Sequence, residues 1–118
     1  MSLESDVLGR AYGHAVAYLE GLDTRPVATT VGLAELRNRL DMPLHHSPTP
    51  AETVIDELVA ATAGGQLGSA SGRFFAWVIG GALPSALAAD WLASTWDVNA
   101  TIYACGPAAA VVEEVAGE

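Results

Sequence analysis

The chain has 118 residues, with 14 acidic and 5 basic side chains, and its formal charge is −9. An apolar fraction of 51% is too high for a disordered tail, and the length suits one domain or part of one. The acidic balance opposes nucleic-acid binding, and the basic residues are all arginines (10, 25, 37, 39 and 73), which excludes a Walker-type phosphate loop, a lysine nucleophile and a lysine Schiff base within this chain.

The first predicted element is a helix from about Ser2 to Leu22. Leu8, Ala11, Ala15, Tyr18 and Leu22 step by three and four and share one stripe. The segment Asp23-Thr24-Arg25-Pro26 breaks it, because proline disfavours helical geometry in the residue before it. A short second helix carries Leu33, Leu36 and Leu40 and ends before Pro43. A stiff loop follows, Pro43-Leu44-His45-His46-Ser47-Pro48. The third helix has the clearest start signal: Thr49 as cap, Pro50 in the first turn and Glu52 completing a capping box. Val54, Ile55, Leu58 and Val59 form its apolar face, and Gly64-Gly65 stops it.

Beyond a small-residue loop from Gly64 to Gly72, the composition turns nearly apolar throughout. The run Phe74 to Ala89 is interrupted by Pro84 and Ser85 and is short for a membrane span, so it reads as a buried core segment. Pro84 opens a fourth helix to about Asp97, with Leu83, Leu87, Trp91 and Leu92 inside. Alanines 86, 88, 89 and 93 fill its other faces, so it should be covered on most sides. Gly106-Pro107 starts a fifth helix bearing Val111, Val112 and Val115. Glu113, Glu114 and Glu118 place negative charge at its negative end, about 0.3–1 kcal/mol unfavourable per group. That ending suits a chain cut from a longer protein. No alternating pattern predicts a sheet, so the expected class is all-α.

Few residues carry chemistry by their pattern. His45 and His46 are loop neighbours without a third or fourth ligand, which disfavours a metal hydrolase and leaves them as structural or exposed histidines. His14 reads as a packing or surface residue. The lone Cys105 cannot form an internal disulfide and reads as a buried small hydrophobe, in a reducing, cytoplasmic setting. The N-terminus lacks the basic-then-apolar layout of a signal peptide. Gly68-Ser69-Ala70-Ser71-Gly72 has alanine at its centre and no preceding strand, so it is not a nucleophile elbow. Gly80-Gly81, before a proline-started helix, offers backbone amides to a carboxylate or phosphate. Asp90 lies within the apolar fourth helix and is costly there unless paired, with Arg73 as a possible partner. Asp97 and Asn99 read as caps where that helix breaks.

The run Arg73-Phe74-Phe75-Ala76-Trp77-Val78-Ile79-Gly80-Gly81-Ala82-Leu83-Pro84 continues through Ala88-Ala89-Asp90-Trp91-Leu92. With Ala104-Cys105-Gly106-Pro107 and Val112-Glu113-Glu114-Val115, it resembles the pyridoxal-phosphate-dependent group II amino-acid decarboxylases. The resemblance extends to Arg25-Pro26-Val27. It implies an aminotransferase-like (type I) fold built as an intimate homodimer, acting on a small amino acid. Residues 1–66 would be a helical dimer-clasping segment, and 67–118 the truncated start of the large cofactor domain. Trp77, Val78, Ile79 and Gly80 would line the substrate pocket, and Asn99 and Thr101 would reach across the dimer to the partner's pocket. Ser71-Gly72-Arg73 departs from the histidine and proline that many members carry before the aromatic pair, which leaves the substrate class open. The family's cofactor lysine, stacking histidine and pyridine-facing aspartate would all lie downstream of residue 118. The expected role is therefore an N-terminal fragment that shapes a pocket wall and a dimer interface and is catalytically incomplete alone, with no covalently bound pyridoxal phosphate. The alternative is a small all-helical self-association module without catalysis.

Overall fold

A computed structural model describes residues 2–118. The described residues form five α-helices and no strand: α1 (Leu3–Glu20), α2 (Leu33–Leu40), α3 (Ala51–Thr62), α4 (Pro84–Thr95) and α5 (Pro107–Ala116). The all-α class expected from the spacing is what the chain adopts.

Local chemistry supports most of the helices. Ser2 caps α1 by accepting from the Ser5 N–H at 3.3 Å, and Glu4 and Asp6 place negative charge at its positive end. In α2, Glu35 and Arg39 pair one turn apart at 2.8 Å, and Arg37 and Arg39 occupy the last turn, where cations suit the dipole. Pro84 and Pro107 sit in the first turns of α4 and α5, where a missing N–H costs nothing.

The expected capping box on α3 does not form. Pro50, not Thr49, is the N-cap residue, and no side chain caps the helix. Thr49 stands one position too early for its hydroxyl to meet the first free amides, and Glu52 moves out of box register with it. At the other end, the Thr62 hydroxyl donates to the Leu58 carbonyl at 2.8 Å. The chain then turns at Gly64, whose φ of +80° suits glycine.

The chain divides into two compact units, Met1–Gly81 and Ala82–Glu118. In the first, α3 packs against both α1 and α2. The connecting segments are stitched together by backbone bonds. Gly64 O accepts from the Thr30 and Val31 amides at 2.8 and 3.3 Å, and Gly68 N donates to Val27 O at 2.8 Å. Tyr18 donates its hydroxyl to Leu67 O at 3.2 Å. Arg73 reaches back to donate to the carbonyls of Leu22 and Arg25, at 3.0 and 2.7 Å.

In the second unit, α4 and α5 do not pack against each other. Its chain doubles back at Gly106, where an added Cβ would collide with the Asn99 carbonyl oxygen. Trp96 closes α4, and Asp97 follows with φ of +51°, a left-handed position that aspartate tolerates better than most residues.

Burial corrects the sequence reading most sharply. None of the described hydrophobic residues is fully buried. The run expected as core is open: Phe75 is 92% exposed, Trp77 72% and Val78 wholly so. Leu83, Trp91, Leu92 and Trp96 are exposed on and beside α4, and only Leu87 is half-buried. Cys105, expected to be buried, is exposed as well. Composition dictates which side chains gain from burial, but not whether enough chain lies over them. The chain exposes 9255 Å² in all. A compact folded monomer of 12.1 kDa would expose roughly 6000 Å².

Among the described residues no helix is long and apolar enough to cross a membrane.

Candidate functional site

The four residues expected to line a pocket form an irregular turn near the end of the first unit. Trp77 and Val78 both take positive φ, 56° and 55°. For a tryptophan and a β-branched valine this is unfavourable, by roughly 1–2 kcal/mol each. A weak turn bond, Ile79 N to Ala76 O at 3.4 Å, follows them. The Phe74 and Trp77 rings lie 6.1 Å apart at 56°, a tilted pair that props the indole outward. Trp77, Val78, Ile79 and Gly80 thus form one exposed apolar knuckle, not an enclosed wall. Gly80 and Gly81 lie outside α4, whose N-cap is Leu83, so their amides do not belong to its positive end.

Asn99 and Thr101 lie in the second unit. The Asn99 side-chain oxygen accepts from the Thr101 N–H at 3.1 Å, an Asx turn that orders the segment after α4. Trp96, not Asp97 or Asn99, is the C-cap of α4, so the capping role read for these two is not what they do, and Asn99 orders the turn beyond the helix instead. Asp90 is exposed and needs no buried partner, and Arg73 spends its guanidinium on two backbone carbonyls of the first unit.

The described residues include no group of three or more histidine, cysteine or acidic side chains placed to hold a metal. His45 and His46 are exposed on their loop.

A cleft that the sequence did not announce lies within the first unit. It measures about 710 Å³ and lies between α1 and α3, with residues of the stitched segments 25–30 and 63–66 also lining it. Ala11, Ala15, Ile55, Leu58 and Val59 give it apolar walls. Two polar groups mark it. At one, His14 Nε2 meets Asp56 Oδ1 at 2.6 Å, with Arg10 Nε at 3.7 Å from the same oxygen. At the other, the Arg25 guanidinium lies over the Tyr18 ring, 4.2 Å from its centroid. Arg25 Nε is buried without a hydrogen-bond partner.

Sequence reasoning placed Arg25 only in a helix-breaking turn. The signal that could have marked it is its position before Pro26, which holds its backbone extended just past the Tyr18 stripe. Nothing in the local pattern couples His14 to Asp56, 42 residues away.

At the start of α1, away from both sites, one carboxyl is perturbed. Glu4 has its carboxyl pKa lowered, first by its own backbone N–H at the start of α1 and second by the Ser2 hydroxyl.

Compared with family models, curated proteins and solved structures, the chain matches none.

Proposed function

We propose that this chain serves as the N-terminal part of a pyridoxal-phosphate-dependent amino-acid decarboxylase of the group II type, in an aminotransferase-like dimer. The observation that supports this reading is the exposure of a core-like segment. From Phe74 to Trp96 the sequence carries a core's composition, and its large apolar side chains nevertheless stand in solvent. Such a surface is what a pocket wall and a subunit contact look like before the remaining chain covers them. The exposed knuckle Trp77–Gly80 would supply the wall, and the ordered turn at Asn99 and Thr101 would reach the neighbouring subunit. A cytoplasmic setting accompanies the reading.

The residues present do not fit the cofactor's covalent anchor, because the chain has no lysine to condense with its aldehyde. No chemical step is therefore assigned to these residues. Their part is to shape and to bind.

The test reads the protein in its source cell. An antibody against this chain is applied to lysate after borohydride reduction, which fixes any Schiff-base cofactor to its lysine. The expected species is much heavier than 12.1 kDa and carries a reduced pyridoxyl group. Detection of a 12.1 kDa chain alone, self-associated and without pyridoxyl fluorescence, overturns the proposal and favours the self-association module, which the same exposed surface would serve.

A further inference from the structure

We infer that the cleft between α1 and α3 is a binding site for a monocarboxylate with an apolar body, its carboxylate paired with the Arg25 guanidinium. This inference does not rest on the decarboxylase reading, although Arg25 and Pro26 lie in a stretch that shares the resemblance, and it uses neither the Trp77–Gly80 knuckle nor the turn at Asn99 and Thr101.

The chemistry of the ligand follows from what the cleft offers. Small-molecule sites are mostly apolar concavities with a few placed polar groups, and about 710 Å³ falls within their usual size. The walls given by Ala15, Ile55, Leu58 and Val59 favour hydrocarbon. Against them stands one cation. The Arg25 side chain makes no hydrogen bond or salt bridge among the described residues, and its Nε is shut away from water. Stacking on Tyr18 satisfies its charge in part but none of its N–H donors. A carboxylate matches that planar fork in a way that a neutral group does not.

Other ligand classes fit worse. An amine would meet like charge at Arg25. A neutral alcohol or alkane would offer the guanidinium no opposite charge, and a charge-assisted bond is the stronger one. A phosphate dianion needs more donors than one guanidinium among alkyl groups provides. Asp56 does not defeat the anion, since its carboxylate is engaged by His14 and faced by Arg10.

The site is also held in place before any ligand arrives. Thr24 and Arg25 both donate their amides to Gly21 O, at 3.2 and 2.9 Å, and Arg73 clamps the Arg25 carbonyl at 2.7 Å. Gly21 leaves room beneath the guanidinium, since a Cβ there would stand 3.1 Å from an Arg25 terminal nitrogen and push it aside by a few tenths of an ångström. Arg73 is thus a positioning residue for Arg25. A net charge of −9 repels anions from the chain as a whole, so saturable anion uptake must be local to this cation.

Calorimetric titration of the intact chain with octanoate, octanol and octylamine decides the matter. Octanoate is expected to bind saturably, with octanol and octylamine weaker by about tenfold or more. Arg25→Gln should bring octanoate down to the level of octanol. Leu58→Trp, which fills the cleft and leaves Arg25 in place, should weaken octanoate as well. Equal binding of octanoate and octanol by the unaltered chain overturns the inference, whatever the variants do. So does an octanoate affinity that rises steadily on diluting the chain, which would make the cleft an interface between two copies.

Discussion

The two compact units solve the same problem with opposite means. The first holds its segments by donors and acceptors placed far apart in sequence: Tyr18 on Leu67, Arg73 on Leu22 and Arg25, Thr30 and Val31 on Gly64. In the second, Thr95 bonds to Trp91 and Asn99 to Thr101, each within a few residues, and most of the large apolar residues stand outward. A unit fastened by polar stitches can persist without a dry core. A unit whose large hydrocarbon groups stand in solvent depends on something else to cover them.

The largest effect expected from this contrast is association. Leu83, Leu92, Trp96, Ile102 and Tyr103 are all exposed, with Trp96 at 67%, and each forgoes up to roughly 1.5–3 kcal/mol of burial. Four or five such losses rival the whole stability of a small domain, about 5–15 kcal/mol. Repulsion between chains of −9 is screened beyond about 10 Å at 0.1 M salt, so burial should win. Sedimentation at micromolar concentration should show species heavier than 12.1 kDa. A single 12.1 kDa species that binds no hydrophobic dye would erase the difference drawn between the units.

The next effect tests the stitches. Gly64→Ala would place a Cβ 2.5 Å from Thr30 Oγ1 and 3.0 Å from Val31 Cγ2, at a φ of +80°. Strain and crowding together should cost about 1–3 kcal/mol, read as a lower urea midpoint. An unchanged midpoint would mean that the Thr30–Gly64 junction does not hold the first unit. Arg73→Ala removes two charge-assisted bonds in a largely solvated place, and about 1–2 kcal/mol is expected by the same assay. Cys105→Ser, at an exposed position of the second unit, should stay within about 0.5 kcal/mol and so sharpen the contrast.

The smallest effect is a pH dependence. The folded chain holds the Glu4 carboxyl below its ordinary pKa, so the ionised form favours folding. That contribution is present above the unfolded value and is lost as pH falls through the lowered one. Acid titration should therefore loosen the first turn of α1 more in the unaltered chain than in Glu4→Gln, where Asp6 alone still titrates, as followed by amide protection at Ser5 and Asp6. Equal acid sensitivity in both proteins would remove Glu4 as the cause.

Helix positions were largely legible, because spacing and punctuation are local. The stripe through Leu8, Ala11 and Ala15 and the prolines at 84 and 107 place three of the helices to within a few residues. The fine register of α3 was not legible, since Thr49 and Pro50 both carry start signals and only the backbone decides between them. Long-range partners were invisible: Arg73 could be matched to Asp90 on charge, whereas its donors went to carbonyls, which every residue carries. Exposure of the Phe74–Trp96 stretch was misjudged for a related reason. Hydrophobicity states a preference, and the satisfaction of that preference depends on atoms the segment does not contain.

The stitching of the first unit also orders its assembly in time. Tyr18 and Leu67 are 49 residues apart, and Arg25 and Arg73 are 48 apart, whereas α2 and α3 are near neighbours along the chain. Closing a long loop sacrifices chain entropy before any contact rewards it, so the α2–α3 pair can form well before α1 is fastened. The seam between segments 25–31 and 64–68 then closes last and, by the same reasoning, parts first. Its brief openings would release α1 as one piece on the timescale of local unfolding, far slower than side-chain rotation.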